Sequence, residues 1–218
     1  MNKIKCVIFD LDGTLLNTIE DITDALNLAL IKQGLSSYSI KEVMYFVGSG
    51  VDLLIDRALK ARGLSTDYFT IIKKEYLSAY EQCQKNKTKP YPGIIPLLIA
   101  LKEKGMKLAV ISNKPQADTE KVVAYYFPEG LFHQVVGARK GIPLKPNPEV
   151  VWQTMATLQV NNKETIYIGD SDIDMKTAIN AKVKSIGCTW GFRTLEELLQ
   201  NRASYIVNTP EEICKIIG

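Results

Sequence analysis

The chain has 218 residues, 46% of them hydrophobic and 23% charged, with a formal net charge of +3. That is enough apolar material to close a full core, and it excludes a disordered chain. The longest apolar run, Ile94 to Leu101, is broken by Pro96 and falls far short of the roughly 20 residues of a membrane span. Lysines are interspersed with acids in stretches such as QKNKTK and IIKKEY, the pattern of solvated helix faces, so neither nucleic acid nor a membrane is expected as a partner. The apolar run from Cys6 stops at Asp10, too soon for the core of a signal peptide. The cysteines, Cys6, Cys83, Cys188 and Cys214, show no paired spacing, which predicts reduced thiols, no zinc and a cytoplasmic setting.

In chain order, KCVIF (5–9) reads as a buried strand, with Asp10 and Asp12 just past its end and Gly13 placed to turn the chain. From about residue 17 to 88 the patterns are helical. Ile19, Ile22, Leu26 and Leu30 recur at helical spacing up to Gly34, SIKE (39–42) is a capping-box candidate, and Val51 to Arg62 and Tyr68 to Gln84 are periodic again. KPYPG (89–93) reads as a linker returning to the core. Strands at 107–112, 165–169, 183–188 and 204–207 then alternate with helices over 94–105, from near Pro115, from Pro148 and over 172–181. This alternation predicts an α/β fold, a doubly wound parallel sheet with a Rossmann-like core (1–16 and 89–218) and an inserted all-helical subdomain (17–88).

In an open parallel sheet, ligands sit beyond the carboxyl ends of the strands. Each apolar strand here ends in a polar cluster: Asp10, Asp12 and Thr14; then Ser112, Asn113 and Lys114; then Asp170, Ser171, Asp172 and Asp174. The loop PLKPNP adds Lys145. Acids, a lysine and small hydroxyl or amide donors converging on one sheet edge are the groups that magnesium-assisted phosphoryl transfer needs. The GSG at 48–50 lacks a third glycine and a preceding strand, so no nicotinamide cofactor is expected. His133, the only histidine, has no acid or serine pattern around it and is expected to be structural or at the surface.

The motifs DLDGTL from Asp10, SNKP from Ser112, Lys145-Pro146 and GDSDID from Gly169 resemble, in order, the four motifs of the haloacid-dehalogenase superfamily of phosphatases. PYPG and CTWGFR (188–193) are similar to its phosphoglycolate phosphatase group. The resemblance implies a helical cap between the first two motifs and a cytoplasmic enzyme, a monomer or homodimer, that takes a small phosphate ester. It implies Asp10 as nucleophile forming an aspartyl-phosphate, with Asp12 protonating the leaving alkoxide and later activating water. Magnesium would be held by Asp10, Asp170 and the main-chain carbonyl of Asp12. Ser112, Lys145 and main-chain N–H groups around Asn113 and Gly13 would meet phosphoryl charge, with Thr14 and Lys114 nearby. Asp174, four residues after Asp170, is expected on the same helix face, steadying magnesium waters and Lys145, with Ser171 in support; Asp172 is expected to face solvent. The glycine-bracketed loop VGSGVD, through Gly50, would offer backbone N–H groups to a substrate carboxylate.

The chain departs from the phosphoglycolate group at Asn17-Thr18, where Asp-Ser is common, at Ala181-Lys182, where Ala-Gly is common, and at Arg139-Lys140, where an acid is frequent. A pyrophosphatase, a β-phosphoglucomutase-like mutase and a non-catalytic phospho-acceptor scaffold remain alternatives to the hydrolase of a phosphate ester. Asp12 and the cap count against the scaffold, and Asp12 counts against a dehalogenase.

Overall fold

The computed structural model describes residues 3–218. A sheet of β1 (Cys6–Phe9), β4 (Lys107–Pro115), β5 (Gln134–Ala138), β6 (Thr165–Gly169), β7 (Lys184–Cys188) and β8 (Tyr205–Val207) runs in the order β5-β4-β1-β6-β7-β8. Every pairing in it is parallel. Two further strands, β2 (Leu16–Asn17) and β3 (Lys89–Pro90), form a separate antiparallel ribbon.

The buried strands read as continuous apolar runs because both faces of the sheet are covered. On β1, Val7 and Phe9 join one cluster while Cys6 and Ile8 join the other; Leu108 and Val110 oppose Ala109 and Ile111 on β4 in the same alternation. The first face is closed by α5 (Ile94–Glu103), α6 (Gln116–Tyr126) and α10 (Pro210–Ile217), the second by α7 (Glu149–Thr157) and α8 (Asp172–Ala181). The remaining core helix is α9 (Leu195–Gln200). Strand β5 has no counterpart in the sequence reading. It is an edge strand, only half buried, with just Val135 and Val136 as a β-branched pair, so its sequence carries little strand signal.

Between β2 and β3 lie α1 (Ile19–Ile31), α2 (Ile40–Phe46), α3 (Val51–Lys60) and α4 (Phe69–Cys83), with a short 3₁₀ turn at Thr66–Tyr68. They bury their own cluster, including Ile22, Leu26, Leu30, Ile55, Leu59, Ile72, Tyr76 and Tyr80. The expected capping box is present: Ser39 accepts from Glu42 N–H, and Glu42 accepts from Ser39 N–H. The helical unit leaves and rejoins the core at one place, where Leu16 faces Pro90 and Asn17 faces Lys89. Asp21, fully buried on α1, fastens the return strand. Its carboxylate accepts from the N–H groups of Lys87 (3.0 Å) and Thr88 (2.8 Å) and from Thr88 Oγ1 (2.7 Å).

Strand β1 lies between β4 and β6, so the chain leaves it toward the crevice where the sheet's winding reverses, between the ends of its two neighbours. Asp21→Ala strands two backbone N–H groups and a hydroxyl in that junction; at ~1–3 kcal/mol for each unsatisfied buried donor, urea unfolding is expected to show a loss of about 3 kcal/mol or more.

Candidate active site

Beyond β1 the chain folds back on itself at once. Leu15 and Leu16 N–H both reach the Leu11 carbonyl at 3.0 Å, and Gly13 N–H reaches Leu16 O at 2.8 Å. Gly13 has φ +91, and a Cβ there would lie 2.3 Å from Asp170 Oδ2. Only glycine lets the turn pass so close to that carboxylate. Thr14 Oγ1 donates to Asp170 Oδ1 at 2.9 Å. The Gly13 N–H and the Thr14 hydroxyl are thus engaged within the protein, where both residues shape and hold Asp170.

Asp174 reaches the site by a different route from the one its spacing suggested. Asp170 precedes α8, so the two acids share no helix face; Ser171 is the N-cap and Asp174 closes a capping box with it. Asp174 Oδ2 accepts from Ser171 N–H (3.1 Å) and Oγ (2.6 Å), which turns Oδ1 toward Lys145 Nζ at 2.8 Å. Lys145 also donates to Asp10 Oδ1 at 2.7 Å. Asp172 is half-buried, ion-paired to Lys176 at 2.7 Å and 3.9 Å from Arg193.

Asp10, Asp170 and Asp174 thus bring one oxygen each within 4.8 Å of one another, all buried. Burial first, then the charge of Asp174, pushes Asp10 well above the usual carboxylate range against the pull of Lys145. The same two causes lift Asp170 to about 7. Lys145 is itself held well above its ordinary value, because Asp10 and Asp174 outweigh the cost of burial. Three packed carboxylates with one lysine are short of positive charge, and an all-oxygen donor set suits a hard divalent cation such as magnesium rather than zinc. The side chain of Asp12 lies outside this cluster.

Asp12 instead faces Lys114, whose ammonium donates to both carboxylate oxygens (3.0 and 2.9 Å) and to Tyr80 OH (2.9 Å) on α4. Burial alone would lower Lys114, but Asp12 reverses the sign and raises it. Ser112 Oγ accepts from Lys114 N–H at 3.1 Å. Asn113 works as a clasp: Oδ1 accepts from Lys145 N–H (2.9 Å), while Nδ2 donates to the carbonyls of Lys145 (3.1 Å) and Gly48 (3.0 Å). Its side chain is committed to these partners.

A cavity of about 50 Å³ lies between the sheet edge and the helices. Asp10, Asp12, Ser112 and Lys114 form its floor; Ile22, Gly50, Leu54, Tyr76 and Tyr80 close it from above. Gly50, at φ +86, is the N-cap of α3. His133 is exposed, and its Nδ1 accepts from Leu108 N–H at 3.2 Å, a structural role as expected. The sequence reading missed Tyr80 and the chemistry of Trp190 to Arg193. Phe192 N–H donates to Asp170 Oδ2 at 2.7 Å, but a backbone donor leaves no mark in a sequence.

A parallel sheet whose central strands deliver buried acids and lysines to a cavity under a helical segment has the architecture of an enzyme's active site. The family model described as Haloacid dehalogenase-like hydrolase matches residues 7–188, and the chain belongs to that family. It is 31% identical over 217 residues to a phosphoglycolate phosphatase of Aquifex aeolicus, covering 98% of this chain and 97% of that one. Identity to a phosphoglycolate phosphatase of Cereibacter sphaeroides is 32% over 189 residues, 86% of each chain. Among solved structures, a predicted phosphoglycolate phosphatase from Haemophilus somnus superposes with a TM-score of 0.93 at 29% identity, covering all of both chains. A haloacid dehalogenase-like family hydrolase from Streptococcus pneumoniae gives 0.89 at 26%, again over the full length of both.

Gly13→Ala is expected to weaken magnesium binding by more than ten-fold in a calorimetric titration, the scale on which displaced ligands lose affinity. It also forces an unfavourable φ, so thermal unfolding is expected to show ~1–3 kcal/mol of lost stability.

Proposed function

We propose that this enzyme is a magnesium-dependent phosphatase of small phosphate monoesters, 2-phosphoglycolate foremost, working through an aspartyl-phosphate on Asp10. The observation that carries the reading is the placement of Asp10: it is anchored through Oδ1 by Lys145 inside an acid cluster, on the floor of the same cavity as Asp12. The names of the full-length relatives support the choice of ester.

In this reading the second oxygen of Asp10 attacks phosphorus, so that one difficult displacement becomes two easier ones. Asp12 gives a proton to the leaving oxygen and takes one from the water that later attacks the phosphoaspartate. Lys114 holds the Asp12 carboxylate at a fixed place on the cavity floor. Ser112 Oγ and the Lys145 ammonium meet the charge that grows on the phosphoryl oxygens. Magnesium, bound by Asp10, Asp170 and the Asp12 carbonyl with Asp174 behind them, would neutralise phosphate charge against the acids.

The helical segment from about 17 to 88 acts as a cap. Tyr80 and Gly48 contact the core side chains Lys114 and Asn113, which draws the roof onto the site and excludes water from the first step. A cavity of about 50 Å³ suits a small ester better than a nucleotide. The loop through Gly50, at the N-terminus of α3, offers its N–H groups to a substrate carboxylate. The four free cysteines accord with a reducing, cytoplasmic setting.

A panel of 2-phosphoglycolate, pyrophosphate, a sugar phosphate, a nucleotide and an aryl phosphate tests the assignment. Magnesium-dependent hydrolysis led by phosphoglycolate is expected; full activity in chelator removes the metal from the reading, and a ten-fold preference for pyrophosphate removes the ester. Asp10→Asn is expected to abolish turnover. Asp12→Asn is expected to slow it by ~10²- to 10⁴-fold, more for alkyl than for aryl esters, since an aryl leaving group needs little protonation; equal slowing of both would remove Asp12 as the acid. Gly50→Val places a branched side chain at φ +86, against Leu144 Cδ1 at 3.2 Å. It is expected to lower kcat/KM for phosphoglycolate several-fold more than for the aryl phosphate, and an unchanged ratio would detach the loop from the substrate.

A further inference from the structure

The segment Trp190-Gly191-Phe192-Arg193 follows β7 and touches both halves of the molecule. Trp190 Nε1 donates to the Thr14 carbonyl at 3.0 Å, in the turn whose hydroxyl holds Asp170. Gly191 packs so closely that a Cβ there would lie 2.2 Å from Asp170 Cβ. The Phe192 N–H holds Asp170 Oδ2, yet the Phe192 ring is buried in the cluster of the helical segment. Arg193, itself buried, sends Nη1 to the Met44 carbonyl (2.5 Å) and Nη2 to the Val47 carbonyl (3.0 Å).

Those carbonyls lie at the end of α2, where the last C=O groups of a helix have no partner within it. The loop that follows is held at several of its oxygen atoms. Phe46 O and Ser49 Oγ take Arg57 (both 2.9 Å), and Gly48 O takes Asn113 (3.0 Å). This is the loop that brings Gly48 and Gly50 to the roof of the cavity. Asn113 grips it from the end of β4, while Arg193 grips it from beside Asp170. The two grips differ in what they report: Arg193 is one residue from the N–H that orients a carboxylate of the acid cluster.

We propose that Arg193 is a positioning residue that couples Asp170 to the loop 47–50, so that the geometry of the acid cluster and the geometry of the leaving-group side of the cavity are set together. The segment is short and pinned at each residue: an indole, a glycine contact, a backbone N–H with a ring, and a guanidinium. A shift of the loop draws Arg193, and with it Phe192, whose N–H then leaves its alignment with Asp170. Coupling of this kind is reciprocal for binding, so ion affinity and substrate affinity change together. The inference rests on the proposed reading of the acid cluster as a magnesium site.

The test is magnesium affinity by calorimetry on the full chain, alongside KM, kcat and the melting temperature, for Arg193→Met, Arg193→Lys and Phe192→Leu. Arg193→Met keeps the apolar stem and removes both donors. It is expected to raise the magnesium Kd by about ten-fold, the lower end for loss of a group that orients a metal-binding residue, and to raise KM for phosphoglycolate by a similar factor with a smaller change in kcat. Arg193→Lys is expected to recover part of both, since an ammonium reaches one carbonyl of the two. Phe192→Leu keeps the N–H but shortens the ring, and is expected to move both constants in the same direction by less. A melting temperature that falls in Arg193→Met while magnesium Kd and KM stay at wild-type values overturns the coupling and leaves Arg193 as a brace. Should Arg193→Met fold poorly, wild-type magnesium affinity in Phe192→Leu overturns it equally. A wild-type chain that binds no magnesium fails differently, because it removes the metal reading itself.

Discussion

Lys145 carries its ammonium into a place where three carboxylates converge, and the surrounding structure is arranged to keep it there. Its two contacts, to Asp10 at 2.7 Å and to Asp174 at 2.8 Å, lie out of reach of bulk water, where a charge left unpaired is costly and a pair is worth keeping only if the remaining lone pairs are satisfied. They are satisfied from several directions. Ser171 closes on Asp174 from the helix start, Thr14 and the Phe192 N–H close on Asp170, and Asn113 fixes the backbone of Lys145 itself. One lysine among three acids still leaves the cluster short of cations, and that deficit is the physical reason to place an ion there.

The second charged pair, Asp12 with Lys114, has a different character. It sits beside the acid cluster rather than in it, and its third partner, Tyr80, belongs to the helical segment. In the proposed mechanism the floor of the cavity is divided: the acid cluster holds the ion, and the Asp12 pair faces the groups that exchange protons. Asp10 and Asp12, two residues apart just past β1, reach two separate partners, Lys145 and Lys114.

Much of this was legible in the sequence because it is local. The strands β1, β4 and β6 are apolar on both faces and stand out as runs, and acids directly follow β1 and β6. The capping box at Ser39 could be read from four letters. Strand β5 could not, because this short edge strand carries only two β-branched residues, Val135 and Val136. Asp174 reaches Lys145 through a capping box rather than along a shared helix face, and the two patterns have nearly the same spacing. Tyr80 and Arg193 were out of reach: Tyr80 meets Lys114 from 34 residues away and Arg193 meets Met44 from 149, and nothing in either local stretch names its partner. Gly13 and Thr14 were recognised as part of the site, but which way their donors point is a property of the folded turn.

The ribbon of β2 and β3 holds two residue pairs only, Leu16 with Pro90 and Asn17 with Lys89. All four helices above the site hang from that narrow stem, and Asp21 stitches its returning arm to the first helix. The covalent path between the two halves therefore runs through two adjacent strands, and the rest of the seam is closed by non-covalent contacts alone: Tyr80 to Lys114, Gly48 to Asn113 and Met44 to Arg193.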